Sequence, residues 1–301
     1  MAATGVRLLA AGEIRGIAGR LGVRPTKKLG QNFVVEQGSV RQIAALAEVR
    51  PGDVVLEVGP GLGSLTLALL EAVVVAAGPE STVPVRLVAV EIDPVLAGEL
   101  PRTIAERAPG IADQVTVLTA DALAVGESEL GAPWPTVLAA NLPYNVAVPV
   151  VLNLLAALPS LRRGVVMVQA EVADRMCAGP GSRVYGVPSA KLAWYAHAKL
   201  AGTVPRSVFW PVPNVDSKLV AFTRRDPPAT TASREQVFAV IDAAFGQRRK
   251  TLRAALAAWA GSPGTAEEAL RAGGVDPGAR GEALTVAEFA RIAQFDRGET
   301  K

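Results

Sequence analysis

Residues 54–63 read VVLEVGPGLG, and this stretch decides the fold. Its first half is a short apolar run, which is typical of a parallel strand buried on both faces. Its second half places glycines directly after that strand and before an apolar helical pattern over residues 62–77. Glycine permits a tight turn and lets a ligand come close to the backbone at the start of a helix. The stretch therefore predicts a strand, a ligand-binding turn and a helix.

Strands and helices alternate on both sides of this turn. A helical pattern covers residues 39–49, and helical patterns also separate the later apolar runs. Such alternation indicates an α/β fold, in which a parallel sheet is covered on both faces in the Rossmann manner. Two later runs predict an antiparallel end to the sheet. The further strand candidates are Arg86–Val90, Val115–Leu118, Thr136–Ala140 and Gly164–Gln169, and the two later runs are Trp194–Leu200 and Ser217–Thr223.

A polar, proline-rich segment divides the chain into two domains. It begins as Asp-Pro-Pro-Ala-Thr-Thr and covers residues 226–233, as expected of a linker. Residues 1–225 then form a cofactor-binding catalytic domain, in which residues 1–20 are an N-terminal extension without an assigned role. Residues 234–301 carry helical periodicity, which predicts a small helical domain. The basic cluster at residues 248–253 makes this the domain that we expect to bind RNA.

Composition indicates a cytoplasmic protein. Cys177 is the only cysteine of the 301 residues, so no internal disulfide and no cysteine-rich zinc site can form, and we expect no metal. The first residues lack the charged, apolar and small-residue zones of a signal peptide. The apolar stretches 65–77 and 146–158 are too short or too interrupted to span a membrane.

Charge is unevenly distributed along the chain, although the net charge is only +3. Residues 1–50 carry a net +5 and residues 191–253 a net +7, whereas residues 51–190 carry −7 and residues 254–301 carry −2. Basic segments around a less basic body favour binding of a polyanion, because neutralised phosphates release counterions. An ordinary solvated surface remains the alternative that charge alone leaves open.

The glycine turn differs from a dinucleotide fingerprint. That fingerprint requires glycine or alanine at the position that Ser64 occupies here. The acidic Glu57 precedes the glycines instead. This pattern favours a cofactor that has no pyrophosphate and carries a cationic amino-acid end, which describes S-adenosylmethionine. A plain tight turn is the alternative.

Polar side chains follow the second, third and fourth strands of the predicted sheet. Glu91 is placed to accept both hydroxyls of a ribose, Asp121 to accept from the adenine amine of the cofactor, and Asn141 follows the fourth strand. Each could be a helix cap by itself. The carboxyl ends of parallel strands meet in one crevice, however, so we expect these side chains and Gly59 to lie together.

The tetrapeptide Asn141-Leu142-Pro143-Tyr144 suits chemistry on an amine that is conjugated to an aromatic ring. The Asn141 side-chain oxygen and the Leu142 carbonyl can accept the two amine hydrogens, which turns the nitrogen lone pair towards a methyl donor. Pro143 restricts Leu142 to an extended conformation, and Tyr144 offers a face on which a base can stack. A strand-ending turn is the alternative.

With these motifs, the chain resembles the small-subunit (16S) ribosomal RNA adenine N6,N6-dimethyltransferases, which are class I methyltransferases. The resemblance runs from roughly residue 24 to 295. It rests on KLGQNF at 28–33, EID at 91–93, DAL at 121–123, the tetrapeptide, PVPNVDS at 211–217 and FGQRRKTLR at 245–253.

The resemblance implies a set of site residues and a substrate. Asn32 and the backbone of Val34 would bind S-adenosylmethionine together with Gly59, Glu91, Asp121 and Asn141, and Phe33 would lie near the target base. The substrate would be two adjacent adenines in the 3′-terminal hairpin loop of 16S ribosomal RNA within the immature small subunit. We expect a monomer that does not bind membranes. Arg248, Arg249, Lys250 and Arg253, of which Arg249 and Arg253 share a predicted helix face, would contact RNA phosphates.

Three other functions remain open at this point. A methyltransferase of large-subunit ribosomal RNA or of DNA adenines would perform the same chemistry on an adenine amine, and the tetrapeptide alone does not separate these substrates. A non-catalytic factor of ribosome assembly would need only the basic segments, and a nicotinamide-dependent dehydrogenase would use the same general fold.

Overall fold

The computed structural model describes residues 5–23, 32–78, 86–143 and 145–296. Within them the strands are β1 (Phe33–Val34), β2 (Val54–Val58), β3 (Arg86–Glu91), β4 (Val115–Thr119), β5 (Val137–Asn141), β6 (Arg163–Gln169), β7 (Ala196–Val204), β8 (Phe209–Trp210) and β9 (Ser217–Arg224). The helices are α1 (Ala11–Arg20), α2 (Gln37–Leu46), α3 (Ser64–Ala77), α4 (Pro94–Arg107), α5 (Glu127–Leu130), α6 (Ala147–Ala157), α7 (Ala170–Cys177), α8 (Val187–Tyr195), α9 (Arg234–Gly246), α10 (Leu252–Ala255), α11 (Ala257–Ala260), α12 (Pro263–Ala272) and α13 (Val286–Ala293).

The chain divides into two compact units. The sheet unit comprises residues 1–173 and 199–224, and the helical unit comprises residues 174–198 and 225–301. The sequence predicts the boundary near residue 225, but it assigns residues 174–198 to the first domain, whereas the structure places them in the helical unit. Their packing explains the difference, because the apolar side chains of this segment lie in the helical core described below.

The central sheet has the strand order β4-β3-β2-β5-β6-β9-β7 among the described residues. Strands β2 to β6 are parallel to one another, and β9 pairs antiparallel with β6. The chain runs outward from β2 to β4 and then returns to place β5 on the other side of β2. A crevice forms at such a reversal of strand order, because the loops leaving the two central strands turn in opposite directions.

The residues of the central strands explain why they are central. All five residues of β2 are buried, as are the first four of β5. A run that is apolar on both faces is stable only between two helical layers. The α/β prediction and its five parallel strands are thus confirmed to within one residue at each end. The antiparallel end is present as well, but Trp194 and Tyr195 belong to α8, and β7 begins at Ala196.

The N-terminal segment packs into the core of the sheet unit. Leu8, Leu9 and Ile14 are buried in the main hydrophobic cluster. Helix α1 is fixed on α4 by ion pairs, one of which joins Arg20 to Glu99. The sequence suggests no role for the N-terminal extension, but the structure shows that residues 5–20 of it pack as part of the sheet unit.

The helical unit has an aromatic core of its own. The Tyr185 ring is buried, packs edge-on against Phe245 with 5.8 Å between ring centroids, and donates from its hydroxyl to the Leu284 carbonyl at 2.8 Å. Trp194 packs against Phe238 of α9 in a similar edge-on manner. These contacts tie residues 174–198 to the C-terminal helices. In the part of the chain that the structure describes, none of the helices has the length and apolarity needed to cross a bilayer.

Candidate active site

The strand ends of the sheet unit open into one cleft. Its lining includes Asp121 after β4, Glu91 at the end of β3, Gly59 after β2 and Asn141 at the end of β5. Because the strands are ordered β4-β3-β2-β5, these groups follow one another along the cleft in that same order. The structure thus confirms the prediction that these four residues lie in one cleft.

The glycine turn forms the floor of the cleft. Gly59, Gly61 and Gly63 all have left-handed φ values, of 69°, 56° and 95°, which side chains with a Cβ rarely adopt. A Cβ on Gly61 would lie 2.9 Å from Cε1 of Phe33. Glycine is required there both by the backbone conformation and by the ring above it.

Helix α3 begins at Ser64, directly after this turn. Its N-cap, Gly63, has no side chain that could accept from the first N–H groups of the helix. The positive end of the helix therefore borders the cleft, where it favours a negatively charged ligand group. Ser64 also lines the cleft, and its hydroxyl is buried and makes no hydrogen bond with any described residue.

Glu91 is buried at the second position of the cleft. Its two carboxylate oxygens accept from the backbone N–H groups of Gly61 and Asp93, each at 3.0 Å. Burial nevertheless raises the pKa of Glu91 above its usual value. Each oxygen keeps a second lone pair, so the carboxylate can accept from two vicinal hydroxyls while it fixes the glycine turn.

Asp121 lies at the end of the cleft beyond Glu91. Its Oδ1 accepts from the Leu123 backbone N–H at 2.9 Å, and its carbonyl accepts from Ala124 at 2.8 Å. The carboxylate therefore closes a turn, as the alternative of a local cap predicts, and it also lines the cleft. Neighbouring Leu123 and Ile92 line this end with exposed apolar side chains.

Asn141, Leu142 and Pro143 lie at the opposite end of the cleft. The Asn141 Nδ2 donates to the main-chain carbonyl of Asn32 at 3.1 Å. Since a carbonyl can only accept, this bond fixes the amide nitrogen towards Asn32 and leaves Oδ1 on the other branch of the amide. The Leu142 N–H donates to Met167 at 3.1 Å, which anchors the tetrapeptide on β6. Tyr144 lies outside the described residues.

Strand β1 lies across the glycine turn. Phe33 and Val34 are buried and line the cleft together with Asn32. The edge of the Phe33 ring faces Gly61, and the ring stacks with Trp210, with a centroid distance of 6.2 Å and an interplanar angle of 25°. These residues therefore lie on the glycine turn, and Trp210 is a neighbour that the sequence pattern does not reveal.

Glu57 does not line the cleft. Its side chain is 1% exposed, and neither carboxylate oxygen has a hydrogen-bond partner among the described residues. Burial raises the pKa of Glu57 to about 8, and the nearby Glu91 charge acts in the same direction. The sequence interpretation that Glu57 marks a cationic ligand therefore has no direct contact to support it in the structure. The buried hydroxyls of Thr66 and Thr103, on α3 and α4, likewise have no partner among the described residues.

The donors and acceptors of the cleft fit S-adenosylmethionine. The Glu91 carboxylate fits a ribose, the Asp121 carboxylate fits an adenine amine, and the uncapped start of α3 fits the carboxylate of an amino acid. Backbone glycines between them provide the close approach that an extended ligand requires. The lining residues that the sequence did not assign to the site include Ser64, Ile92 and Leu123.

The basic residues predicted to contact RNA lie in the helical unit, but not on one helix. Helix α9 ends at Gly246 and α10 begins at Leu252. The interpretation that Arg249 and Arg253 share a helix face is therefore wrong. The reason is a turn over residues 247–250, which the continuous periodicity of the sequence does not indicate.

Two of these four cations are held in ion pairs. The Arg248 Nε lies 3.1 Å from Glu282 Oε2, and the Arg253 Nε lies 2.9 Å from Glu267 Oε2. Such pairs reduce the charge that each arginine offers to a phosphate. The other two cations, Arg249 and Lys250, are exposed and form no ion pair with a described residue.

Comparison with known proteins places the chain in a family. Residues 23–296 match the model of the ribosomal RNA adenine dimethylase family. Proteins called ribosomal RNA small subunit methyltransferase A are similar over almost the whole chain. The one from Kineococcus radiotolerans is 65% identical over 97% of this chain and 92% of its own length. The one from Thermobifida fusca is 62% identical over 96% of both chains.

Solved structures agree on the fold. A 23S rRNA methyltransferase, ErmE, superposes with a TM-score of 0.60 at 25% identity and covers 87% of this chain and 98% of its own. A dimethyladenosine transferase from Plasmodium falciparum superposes with a TM-score of 0.67 at 21% identity and covers 85% of this chain and 94% of its own.

Proposed function

The chain belongs to the ribosomal RNA adenine dimethylase family, and we propose that it transfers methyl groups from S-adenosylmethionine to two adjacent adenines in the 3′-terminal hairpin loop of 16S ribosomal RNA. Each transfer replaces one N–H of the exocyclic amine by N–CH3 and releases one proton. The observation that carries this proposal is the placement of Asn141 and Leu142 in one cleft with the glycine turn and Glu91. The small-subunit substrate is supported by the names of the relatives that are about 60% identical or more.

The order of groups along the cleft suggests how the cofactor is held. Asp121 accepts from the adenine amine, Glu91 accepts from the ribose hydroxyls, and Gly59 with the start of α3 receives the amino-acid end. Asn32 and the Val34 backbone close the cleft from above. When bound, S-adenosylmethionine supplies an electrophilic methyl group on a positively charged sulfur. The chain therefore has to bind, orient and exclude water, and no side chain needs to act as a nucleophile.

Asn141 and Leu142 prepare the target nitrogen. An adenine amine is a weak nucleophile because its lone pair is delocalised into the ring. Acceptance of its hydrogens by the Asn141 Oδ1 and the Leu142 carbonyl favours a tetrahedral nitrogen whose lone pair points into the cleft. The bond from Asn141 Nδ2 to the Asn32 carbonyl holds Oδ1 in the required orientation. Pro143 keeps Leu142 extended, and Phe33 and Tyr144 are proposed to lie beside the base.

The basic stretch of the helical unit is proposed to bind RNA. Arg249 and Lys250 are exposed on the helical unit, and Arg248 and Arg253 join them in the same basic stretch. The substrate is the immature small ribosomal subunit, and the protein acts on it as a monomer in the cytoplasm. This assigns catalysis to the sheet unit and most phosphate contacts to the helical unit.

Transfer of label from S-adenosylmethionine tests this proposal. Undermethylated small subunits, large subunits, naked 16S RNA and adenine-containing DNA are incubated separately with the protein and labelled cofactor. We expect label only with the small-subunit substrates. Label in large-subunit RNA or DNA would refute the substrate assignment.

The variant Asn141→Ala separates an enzyme from a non-catalytic assembly factor. We expect it to bind small subunits as the wild type does and to transfer at least about 100-fold more slowly, because it lacks one of two acceptors that act in the transition state. Gln294→Ala, a change in the terminal turn of the helical unit, is the control. Unchanged transfer by Asn141→Ala would exclude the proposed role.

A further inference from the structure

Strand β1 is held in place by a strand from a distant part of the chain. It pairs antiparallel with β8, with Phe33 opposite Trp210 and Val34 opposite Phe209. The Val35 N–H extends this ribbon by donating to the Val208 carbonyl at 2.8 Å. Each strand has only two residues, and so short a ribbon depends on its side chains for stability.

Phe33 connects Trp210 with the glycine turn. Its ring stacks with the Trp210 indole, with 6.2 Å between centroids, and the Cδ1–Cε1 edge of the ring faces Gly61. A Cβ on Gly61 would lie within 2.9–3.1 Å of these two carbons, so the ring edge is already in close contact with the turn. Phe33 is 7% exposed, whereas Trp210 is partly exposed. Trp210 therefore packs against a ring whose edge contacts the turn.

The residue next to Phe33 sets the orientation of the amide at the other end of the cleft. The Asn32 carbonyl accepts from Asn141 Nδ2 at 3.1 Å. Any displacement of β1 moves this carbonyl, because Asn32 and Phe33 share a peptide unit of fixed geometry. The Asn141 amide would then lose the contact that directs its oxygen towards the target amine.

We propose that Trp210 is a positioning residue for methyl transfer, which acts through Phe33 and Asn32 on Asn141. This rests on the proposed function, since the role of Asn141 does. Trp210 itself need not touch the cofactor or the target base. Its contribution is to fix Phe33 on the glycine turn, and this keeps both the cofactor cleft and the Asn141 amide in their binding geometry.

A double-mutant cycle tests the proposal. The four proteins are the wild type, Trp210→Ala, Phe33→Leu and the double variant, and Trp210→Phe serves as the conservative replacement. Trp134→Ala is the matched control, because Trp134 is an exposed tryptophan in the loop before β5. Transfer to undermethylated small subunits is measured in single turnovers and in the steady state, and the affinity for S-adenosylmethionine alone is measured by calorimetry.

We expect Trp210→Ala to lower the transfer rate and the cofactor affinity by roughly 2- to 10-fold, which corresponds to the loss of one aromatic stack. The KM for small subunits should stay unchanged. Trp210→Phe should restore most of the rate, because its ring can still stack. The double variant should be no slower than Phe33→Leu, because Trp210 acts only through Phe33.

Other outcomes would overturn the proposal. Losses that multiply in the double variant, or a raised KM for subunits in Trp210→Ala, would mean that Trp210 acts independently of Phe33, for example by contacting RNA. A Trp210→Ala variant equal to the wild type would also refute it. A wild-type chain that transfers no methyl groups would refute the proposed function and this proposal together. If Trp210→Ala does not fold, Trp210→Leu takes its place in the cycle, since leucine retains bulk without a stacking ring.

Discussion

Replacement of Gly61 by alanine tests how the glycine turn and Phe33 form the cofactor site. Gly61 has a φ of +56°, and a left-handed backbone costs an L residue roughly 1–2 kcal/mol. The new Cβ would also lie 2.9 Å from Cε1 of Phe33, well inside the optimum of roughly 3.5–4.0 Å for two carbons. The ring, which also stacks with Trp210, has to move by roughly half an ångström to reach that optimum.

We expect Gly61→Ala to lose stability and, in addition, to lose affinity for the cofactor. Gly61→Ala should lower the Tm by roughly 2–8 °C and raise the Kd for S-adenosylmethionine roughly tenfold, the scale of one disrupted aromatic stack. Gly274→Ala is the control. Its φ is +68°, and a Cβ there would meet no atom within 4 Å, so the backbone cost is similar but no ring is displaced.

Calorimetric titration of both variants with S-adenosylmethionine, together with thermal melts, distinguishes the two effects. We expect Gly274→Ala to lose stability and to keep the wild-type Kd within about twofold. If Gly61→Ala binds the cofactor as tightly as Gly274→Ala, Phe33 does not form part of the site and the reasoning is refuted.

Two further predictions follow from the charged groups. The pKa of Glu57 is raised from its ordinary value of 4.5 to about 8, so the folded state holds a proton that the unfolded chain has lost. The free energy of unfolding should therefore fall between pH 4.5 and pH 8, by at most about 1.4 kcal/mol per pH unit from this group. Glu57→Gln should remove that slope in denaturant titrations, and an unchanged slope would exclude Glu57 as its source. In the helical unit, the double variant Arg249→Ala/Lys250→Ala should make the slope of log affinity for RNA against log salt concentration shallower, by the amount that about two phosphate contacts contribute. Arg271→Ala, whose guanidinium is paired with Glu267, should leave it unchanged, and equal effects would argue against a localised RNA contact.

The sheet could be predicted because its residues carry a strong local pattern. A strand such as Val54–Val58 is apolar at every position except Glu57, and only burial between two layers accommodates its four apolar side chains. The glycines that follow it could be interpreted in the same way, because each is required by a left-handed backbone. Since parallel strands share one carboxyl edge, the positions of Glu91 and Asn141 in one cleft followed from the order of the strands.

Contacts between distant segments carry no such pattern. Trp210 and Phe33 pair through strands of two residues each, which are too short to show periodicity. Tyr185 belongs to the helical unit because its ring fits against Phe245, and nothing in its own neighbourhood indicates this. The turn after Gly246 interrupts a sequence with continuous helical spacing, since tertiary packing decides where a helix ends.

Mass spectrometry of the 3′-terminal fragment of 16S ribosomal RNA tests the central claim most directly. Undermethylated small subunits are incubated with the wild-type protein and S-adenosylmethionine, and the fragment is then sequenced with its modifications. The account predicts two methyl groups on the exocyclic amine of each of two adjacent adenines in the hairpin loop, and none when Asn141→Ala is used. Methyl groups at another position, or an unmodified hairpin, would contradict it.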